Sequence, residues 1–373
     1  MQLFEDKIDR TLSLPPYSQP TDQRQAGLLE VLKDEVAYAC ERHAGYRNYI
    51  HTWPMDYRSA DSVADLPFLP VGILKADPPL SLVPHSEIKR TLTSSATTSQ
   101  LPSRVVLDLP TARRMTKGVV SILRDFIGPD RRPYLVVDTP AFVGGSALGA
   151  RGAAIQGLSP FACETTCCLV ENDCAELVLD VNKLREFVKG KHNTEVLVYG
   201  FTFILWNHLV KQLTKEGVCL NLSKARILHS GGWKRLQEQA VEKTLFNEQL
   251  AGVFGCSVDR IIDFYGMVES VGVIYPDCPA GNKHVPAFGD VIVRNPLTLE
   301  PVRPGEQGIV QVCSILPTSF PGHLLLTEDL AQVISYDGCR CGRGGTSFRF
   351  AGRVPKAELR GCGNLQVRRS SAD

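Results

Sequence analysis

A chain of 373 residues is longer than one apolar core usually organises, which excludes a mini-scaffold and predicts more than one lobe. Its 41 basic and 40 acidic residues leave a formal charge of +1. That excludes the basic footprint of nucleic-acid or anionic-membrane binding and directs attention to small molecules and proteins as partners. The chain has 12 cysteines, but it opens with no basic-then-apolar leader, so it reads as cytoplasmic with reduced thiols. The longest apolar stretch, near residues 196–209, is interrupted by Asn207 and His208, and no membrane span is expected.

Residues 1–22, with Pro15, Pro16 and Pro20, read as an extended lead-in. Over 23–43, Leu28, Leu32, Val36 and Cys40 recur at fourth positions and predict an amphipathic helix. Prolines at 54, 67, 70, 78, 79 and 84 then break the chain into a packed irregular arm. It leads to a run of short hydroxyls: Thr91, Thr93, Ser94, Ser95, Thr97, Thr98, Ser99 and Ser103. Such a run can offer many hydroxyl and backbone N–H donors to phosphate oxygens, and the same composition also describes a solvated linker. A strand is predicted over 104–108, and a helix over 111–126 behind Pro110.

The middle alternates. Strand patterns at 133–138, 176–180, 195–199 and 225–229 are interleaved with helical patterns at 181–189, 203–215 and 235–250, which argues for α/β layering. Beyond Asp263 the balance shifts to strands, at 290–294, 308–313 and 330–335.

Five groups of residues carry chemistry. The turn Ser230-Gly231-Gly232 follows a strand, and its glycines let backbone approach a flat ligand. Tyr265-Gly266-Met267-Val268-Glu269 joins an aromatic ring, a glycine and a carboxylate, and Glu269 suits Mg²⁺, which takes one or two carboxylates plus substrate phosphates. Asp329, closing an apolar run, can accept both hydroxyls of a ribose, and Arg353 can make a forked contact to ribose or phosphate oxygens. Cys362, between glycines and close to Arg360, fits either a thiolate nucleophile or a buried structural thiol. Cys278, His284, Cys339 and Cys341 form two paired groups that suit tetrahedral Zn²⁺ if the fold brings them together, and are otherwise four unrelated residues.

In this order the motifs resemble those of the adenylate-forming acyl ligases. The hydroxyl run stands where that family has its phosphate loop, Ser230–Gly232 resembles its adenine turn, 265–269 its Tyr-Gly-x-Thr-Glu motif, and Asp329 with Arg353 its ribose-binding pair. The segments 69–75, 103–108 and 150–154 and the late Arg360-Gly361-Cys362 look most like the acyl-protein synthetase of bacterial luminescence systems. Family loops carry glycine where Ala96 and Ser99 stand here, and threonine where Val268 stands.

The resemblance implies an α/β large-domain architecture of layered mixed sheets and helices. A small β-rich C-terminal part is expected, without the mobile C-terminal domain of larger ligases. The expected division is a helical and irregular arm (1–90), a nucleotide- and acyl-binding core (91–270) and a β-rich subdomain (271–373) carrying the ribose-binding residues and the acyl-acceptor tail. The implied chemistry is ATP- and Mg²⁺-dependent activation of a fatty or other carboxylic acid as acyl-AMP, then transfer to Cys362 and on to an acceptor, with a partner protein as acyl donor or acceptor. Thr93, Ser94, Ser95, Thr97 and Thr98 would contact phosphate, and Val143, Gly144, Phe201 and Phe203 would line the acyl pocket or serve as plain core. Two alternatives stand beside this: an amide or thioester ligase acting on a separate amine or carrier protein, and a non-catalytic scaffold retaining the fold.

Overall fold

Phe4, Ile8 and Leu12 are spaced four residues apart and all three are buried. This face makes the start of the chain a helix, α1 (Gln2–Thr11), where an extended lead-in was expected from the prolines that follow it. The structure is a computed structural model, and it describes residues 2–94, 101–142, 149–233 and 240–354. The expected amphipathic helix is α2 (Thr21–Arg42), with Leu28, Val31, Leu32, Val36 and Ala39 inward, and α3 (Ala44–His51) follows it. Short 3-10 turns then carry the proline-rich arm past β1 (Leu69–Pro70).

The hydroxyl run connects an antiparallel pair, β2 (Arg90–Thr93) and β3 (Arg104–Leu107). Asp108 accepts a hydrogen bond from the Thr111 amide and caps α4 (Leu109–Ile127), so the helix starts before Pro110, which occupies its first turn where a missing N–H costs nothing. From there strands and helices alternate as expected. The chain runs through β4 (Arg132–Val136), α5 (Ala150–Leu158), β5 (Ala162–Cys167), the ribbon β6 (Leu169–Glu171) and β7 (Leu177–Leu179), and α6 (Val181–Val188). It continues through β8 (Leu197–Phe201), α7 (Thr202–Leu205), a π-helical turn at Trp206–Val210, α8 (Lys211–Lys215) and β9 (Arg226–Ser230).

The next helix, expected over 235–250, is α9 (Lys243–Phe254). It is framed by buried Phe246, Leu250, Val253 and Phe254 and stopped by Gly255 at φ 69°. After it come β10 (Ile261–Gly266) and β11 (Ile274–Pro276). These strands form one six-stranded sheet in the order β11-β10-β9-β8-β4-β5. It is parallel except for β11. All five residues of β8 are buried, as a strand covered on both faces requires.

The remaining strands are β12 (Lys283–His284), β13 (Gly289–Arg294), β14 (Gln307–Ser314), β15 (Leu324–Tyr336) and β16 (Thr346–Arg353). They build a second sheet in the order β12-β16-β15-β14-β13, antiparallel throughout, with β1 added parallel to β15.

Two apolar cores result. One fills the parallel sheet and its helices. The other joins α1 and α2 to the antiparallel sheet, so residues from the first 90 pack against residues beyond 271. At its centre Arg24 of α2 pairs with Asp290 of β13 at 2.9 Å, both side chains almost wholly buried. Arg24 also donates to the Gly289 carbonyl at 2.7 Å and to Thr346 at 2.8 Å, while Asp290 accepts from Gln25 and from the Val291 amide. Removing one partner leaves a buried charge alone. Asp290→Ala is therefore expected to cost about 3–5 kcal/mol, read as a lower urea midpoint, and a loss below about 1 kcal/mol would contradict the pairing.

Candidate active site

Side chains two apart on a strand share a face, so Tyr265 lies on the same face of β10 as Asp263. Cross-strand pairing sets Tyr275 of β11 opposite Tyr265, and the two rings stack at 5.8 Å. Phe350 of β16 stacks on Tyr265 more closely, at 4.8 Å and 24°. Held in this way, the Tyr265 hydroxyl donates to Asp329 Oδ2 at 2.8 Å. Asp329 and Arg353 are direct register partners on β15 and β16, and Arg353 Nε reaches Asp329 Oδ1 at 3.3 Å. The Asp329 side chain is 8% exposed while that of Arg353 is 73% exposed, so a buried acceptor sits beneath a cationic arm at the surface. Burial raises the Asp329 pKa, against the lowering effect of the Tyr265 hydrogen bond and of Arg353. Burial likewise raises Tyr265, with the Asp329 charge adding to it, so the phenol stays a donor.

Ligands of parallel sheets gather outside the carboxyl ends of the strands. Here β8, β9 and β10 end side by side, at Phe201, Ser230 and Gly266. Ser230 is anchored by the Tyr199 hydroxyl at 2.9 Å, and its carbonyl accepts from Thr202 at 3.2 Å. Gly231 has φ 79°, and a Cβ placed there would lie 2.7 Å from the Phe201 ring. Only glycine fits that turn without displacing the ring. Phe201 therefore supports the Ser230–Gly232 turn from below, and Phe203 meets it edge-on at 6.3 Å. Val143 and Gly144, the other residues expected at the acyl pocket, lie outside the described residues.

Glu269 sits in the turn after β10, 6% exposed, and makes no hydrogen bond or ion pair with a described residue. A carboxylate in that setting fits a divalent cation better than a solvated surface role. At the hydroxyl run, Thr93 ends β2 and bridges to Gly149 at the start of α5. Ser94 closes the hairpin mouth: its amide donates to Ser103 O at 3.0 Å and its hydroxyl accepts from the Ser103 amide at 2.8 Å. Ser95, Thr97, Thr98 and Cys362 lie outside the described residues.

Three features were not anticipated from sequence. Phe350 is one, since nothing in its local pattern marks it as a stacking partner of Tyr265. A charge cluster is another: Asp263 meets Lys243 at 2.9 Å, Lys283 at 3.5 Å and His229 at 3.8 Å, and both lysines also contact Asp277. Burial opposes ionisation of Asp263, but Lys283, His229 and Lys243 outweigh it and hold its carboxyl well below the usual range. An aspartate inside the apolar strand Ile261-Ile262-Asp263-Phe264 was the available signal. The third is Asp138, buried beyond the end of β4 and paired with Arg151 of α5, which also lies over the Phe142 ring at 4.3 Å.

The soft-ligand group does converge. Cys278, His284, Cys339 and Cys341 offer one ligand atom each, all within 4.8 Å of one another. The Cys278 and Cys339 sulfurs are 3.8 Å apart, and Cys341 Sγ lies 3.2 Å from His284 Nε2. Burial, followed by the Arg343 charge, lowers His284 to about 4, which keeps the imidazole neutral.

Because the folded-state pKa of Asp329 is raised, its burial disfavours the folded protein once the carboxyl is ionised. Stability is then fully present below the unfolded pKa and declines as pH rises through the folded one. Asp329→Asn removes that titration and keeps an acceptor for Tyr265. The variant is expected to melt at or above the wild-type temperature at pH 7, with the difference shrinking toward about pH 4. A variant less stable at pH 7 than at pH 4, relative to wild type, would overturn this reading of the carboxylate.

The family model described as "Acyl-protein synthetase, LuxE" matches residues 5–369. A long-chain-fatty-acid–luciferin-component ligase of Vibrio harveyi is 24% identical over 363 residues, covering 95% of this chain and 92% of that protein. Its namesake from Aliivibrio fischeri is 26% identical over 170 residues, covering 44% of this chain and 43% of that protein. Among solved structures, an open conformation of 2-hydroxyisobutyryl-CoA ligase in complex with 2-HIB-AMP and CoA superimposes with a TM-score of 0.67 at 17% identity. That match covers 92% of this chain and 80% of the other, and shows a shared fold. With mixed α/β layers and a β-rich C-terminal part on the fold of adenylate-forming ligases, the chain belongs to the acyl-protein synthetase, LuxE, family.

Proposed function

We propose that the protein activates a fatty acid with ATP as acyl-AMP, carries the acyl group on Cys362 and passes it to an acceptor protein. The observation that carries this reading is the convergence of Tyr265, Asp329 and Arg353 beside the Ser230–Gly232 turn, in a chain of this family. A buried carboxylate facing an exposed guanidinium suits a ribose, whose two hydroxyls donate to the first while the second reaches phosphate. The glycine turn suits one side of a flat base, and the Tyr265 hydroxyl holds the carboxylate that would meet the ribose. The names of the relatives, long-chain-fatty-acid–luciferin-component ligases, support a fatty acid as substrate.

The chemistry balances in two steps. A carboxylate oxygen of the acid attacks the α-phosphorus of ATP, and the bond to pyrophosphate breaks. The Cys362 thiolate then attacks the acyl carbon, the bond to the phosphate oxygen breaks, and AMP leaves with the electron pair. Mg²⁺ on Glu269 would offset the charge developing on pyrophosphate. Loop hydroxyls from Thr93 to Thr98 would donate to the same oxygens, with Ser94 fixed at the hairpin mouth to aim them. The expected division into an N-terminal arm, a nucleotide- and acyl-binding core and a C-terminal subdomain gives each step a place: adenylation between the last two, and acyl transfer from the C-terminal tail.

Purified protein given ATP, Mg²⁺ and acids of graded chain length is expected to release pyrophosphate, with no release across fatty, aryl and amino acids as the contradicting result. Cys362→Ser is expected to form acyl-AMP yet carry no hydroxylamine-sensitive acyl label. Label retained on the variant would place the nucleophile elsewhere. Unchanged product formation on a separate amine or carrier would favour the amide or thioester ligase.

A further inference from the structure

The turn joining β15 to β16 is long, spans residues 337–345, and contains little apolar material to hold it. Three polar contacts fix its flanks. Asp337 accepts from the Thr21 amide at 2.9 Å and from the Gly345 amide at 2.7 Å, and Arg343 donates to Asp125 of α4 at 2.6 Å while lying over the Phe126 ring at 3.9 Å. Between them Cys339 and Cys341 face Cys278, on the segment joining β11 to β12, and His284, on β12 itself.

We infer that Cys278, His284, Cys339 and Cys341 form a closed structural zinc site that staples the outer turn of the β15–β16 hairpin to the β11–β12 segment. Ideal tetrahedral Zn–S and Zn–N bonds place neighbouring ligand atoms about 3.5–3.8 Å apart. The observed 3.8 Å between the Cys278 and Cys339 sulfurs and 3.2 Å between Cys341 and His284 sit close to those edges. A disulfide requires sulfurs about 2.05 Å apart, so the Cys278–Cys339 geometry is that of co-ligands. Both cysteine segments turn as metal-holding loops do. The Gly281 amide bonds the Cys278 carbonyl at 2.8 Å and the Gly342 amide bonds that of Cys339 at 3.1 Å, with both glycines at positive φ. Asn282 supports the set from outside, its side-chain amide pointing at Cys339 Sγ at 3.6 Å.

Three thiolates and one imidazole select zinc over calcium or magnesium, which prefer oxygen. Four protein ligands complete a tetrahedron, leaving no open position for a reactive water, so the site is structural. It also lies at the opposite end of the hairpin from Asp329 and Arg353. The seven residue steps along β15 from Asp329 to Tyr336 separate the two ends by about 24 Å of strand. Metal binding therefore acts on how firmly the hairpin is anchored, not on the reaction itself.

Full-length protein purified without chelators is expected to carry one zinc per chain by native mass spectrometry. Stripping the metal is expected to lower its melting temperature by at least about 5 °C. Cobalt substituted for zinc should show thiolate charge-transfer bands and the strong visible bands of a tetrahedral ion. The Cys339→Ser, Cys341→Ser double variant should lose the metal, while Cys219→Ser, at an exposed cysteine outside the cluster, should keep it. Folded wild-type protein that takes up neither zinc nor cobalt would overturn the inference, as would a Cys278–Cys339 disulfide in its place. The wild-type cobalt spectrum decides the matter even if the double variant does not fold, and none of these readouts depends on pyrophosphate release.

Discussion

The ladder between β15 and β16 is the constraint on which the rest of the molecule depends. β15 runs thirteen residues, is hydrogen-bonded to β14 on one edge and β16 on the other, and takes β1 as an extra parallel neighbour. At one end the register puts Asp329 opposite Arg353. At the other it presents Cys339 and Cys341 to Cys278 and His284. Two breaks in register along this ladder let one hairpin serve both ends, because each shift re-aims the side chains that follow it.

The second organising surface is the carboxyl edge of the parallel sheet. Adjacent strands β8, β9 and β10 deliver Phe201, Ser230 and Tyr265 within a few residues of their ends, and the antiparallel sheet adds Asp329, Phe350 and Arg353. The site is thus built by two sheets with different cores. The Arg24–Asp290 pair lies behind the antiparallel sheet and ties it to α2, so the wall carrying Asp329 is braced by the first helices of the chain. Burial decides the electrostatics on both walls. Asp329 is held against its preference for water, and Asp263, less enclosed, is held ionised by the charges around it.

Much of this was legible in the sequence, and the failures have physical causes. The helical face of Leu28, Leu32 and Val36 and the apolar strands of the middle third follow their periods, so α2, β4, β8 and β9 fall close to where they were expected. α1 escaped because its three inward residues are spread thinly among charges, with prolines close behind. The strand β16 escaped because its bulge at Ala351 breaks the alternation that would have announced it, and with it went Phe350. Asp329 and Arg353 stand 24 residues apart, so only the order of family motifs joined them in advance, while their contact follows from strand register. The four soft ligands could be named from spacing, but their convergence required β12 to pair with β16.

The central claim is that the Asp329 carboxylate, set by that ladder, holds a nucleotide. Calorimetric titration of a non-hydrolysable ATP analogue into wild type and Asp329→Asn, both with Mg²⁺, tests it most directly. Losing charge-assisted hydrogen bonds to two ribose hydroxyls predicts affinity at least about tenfold weaker in the variant. Equal affinity in the two proteins would contradict the account.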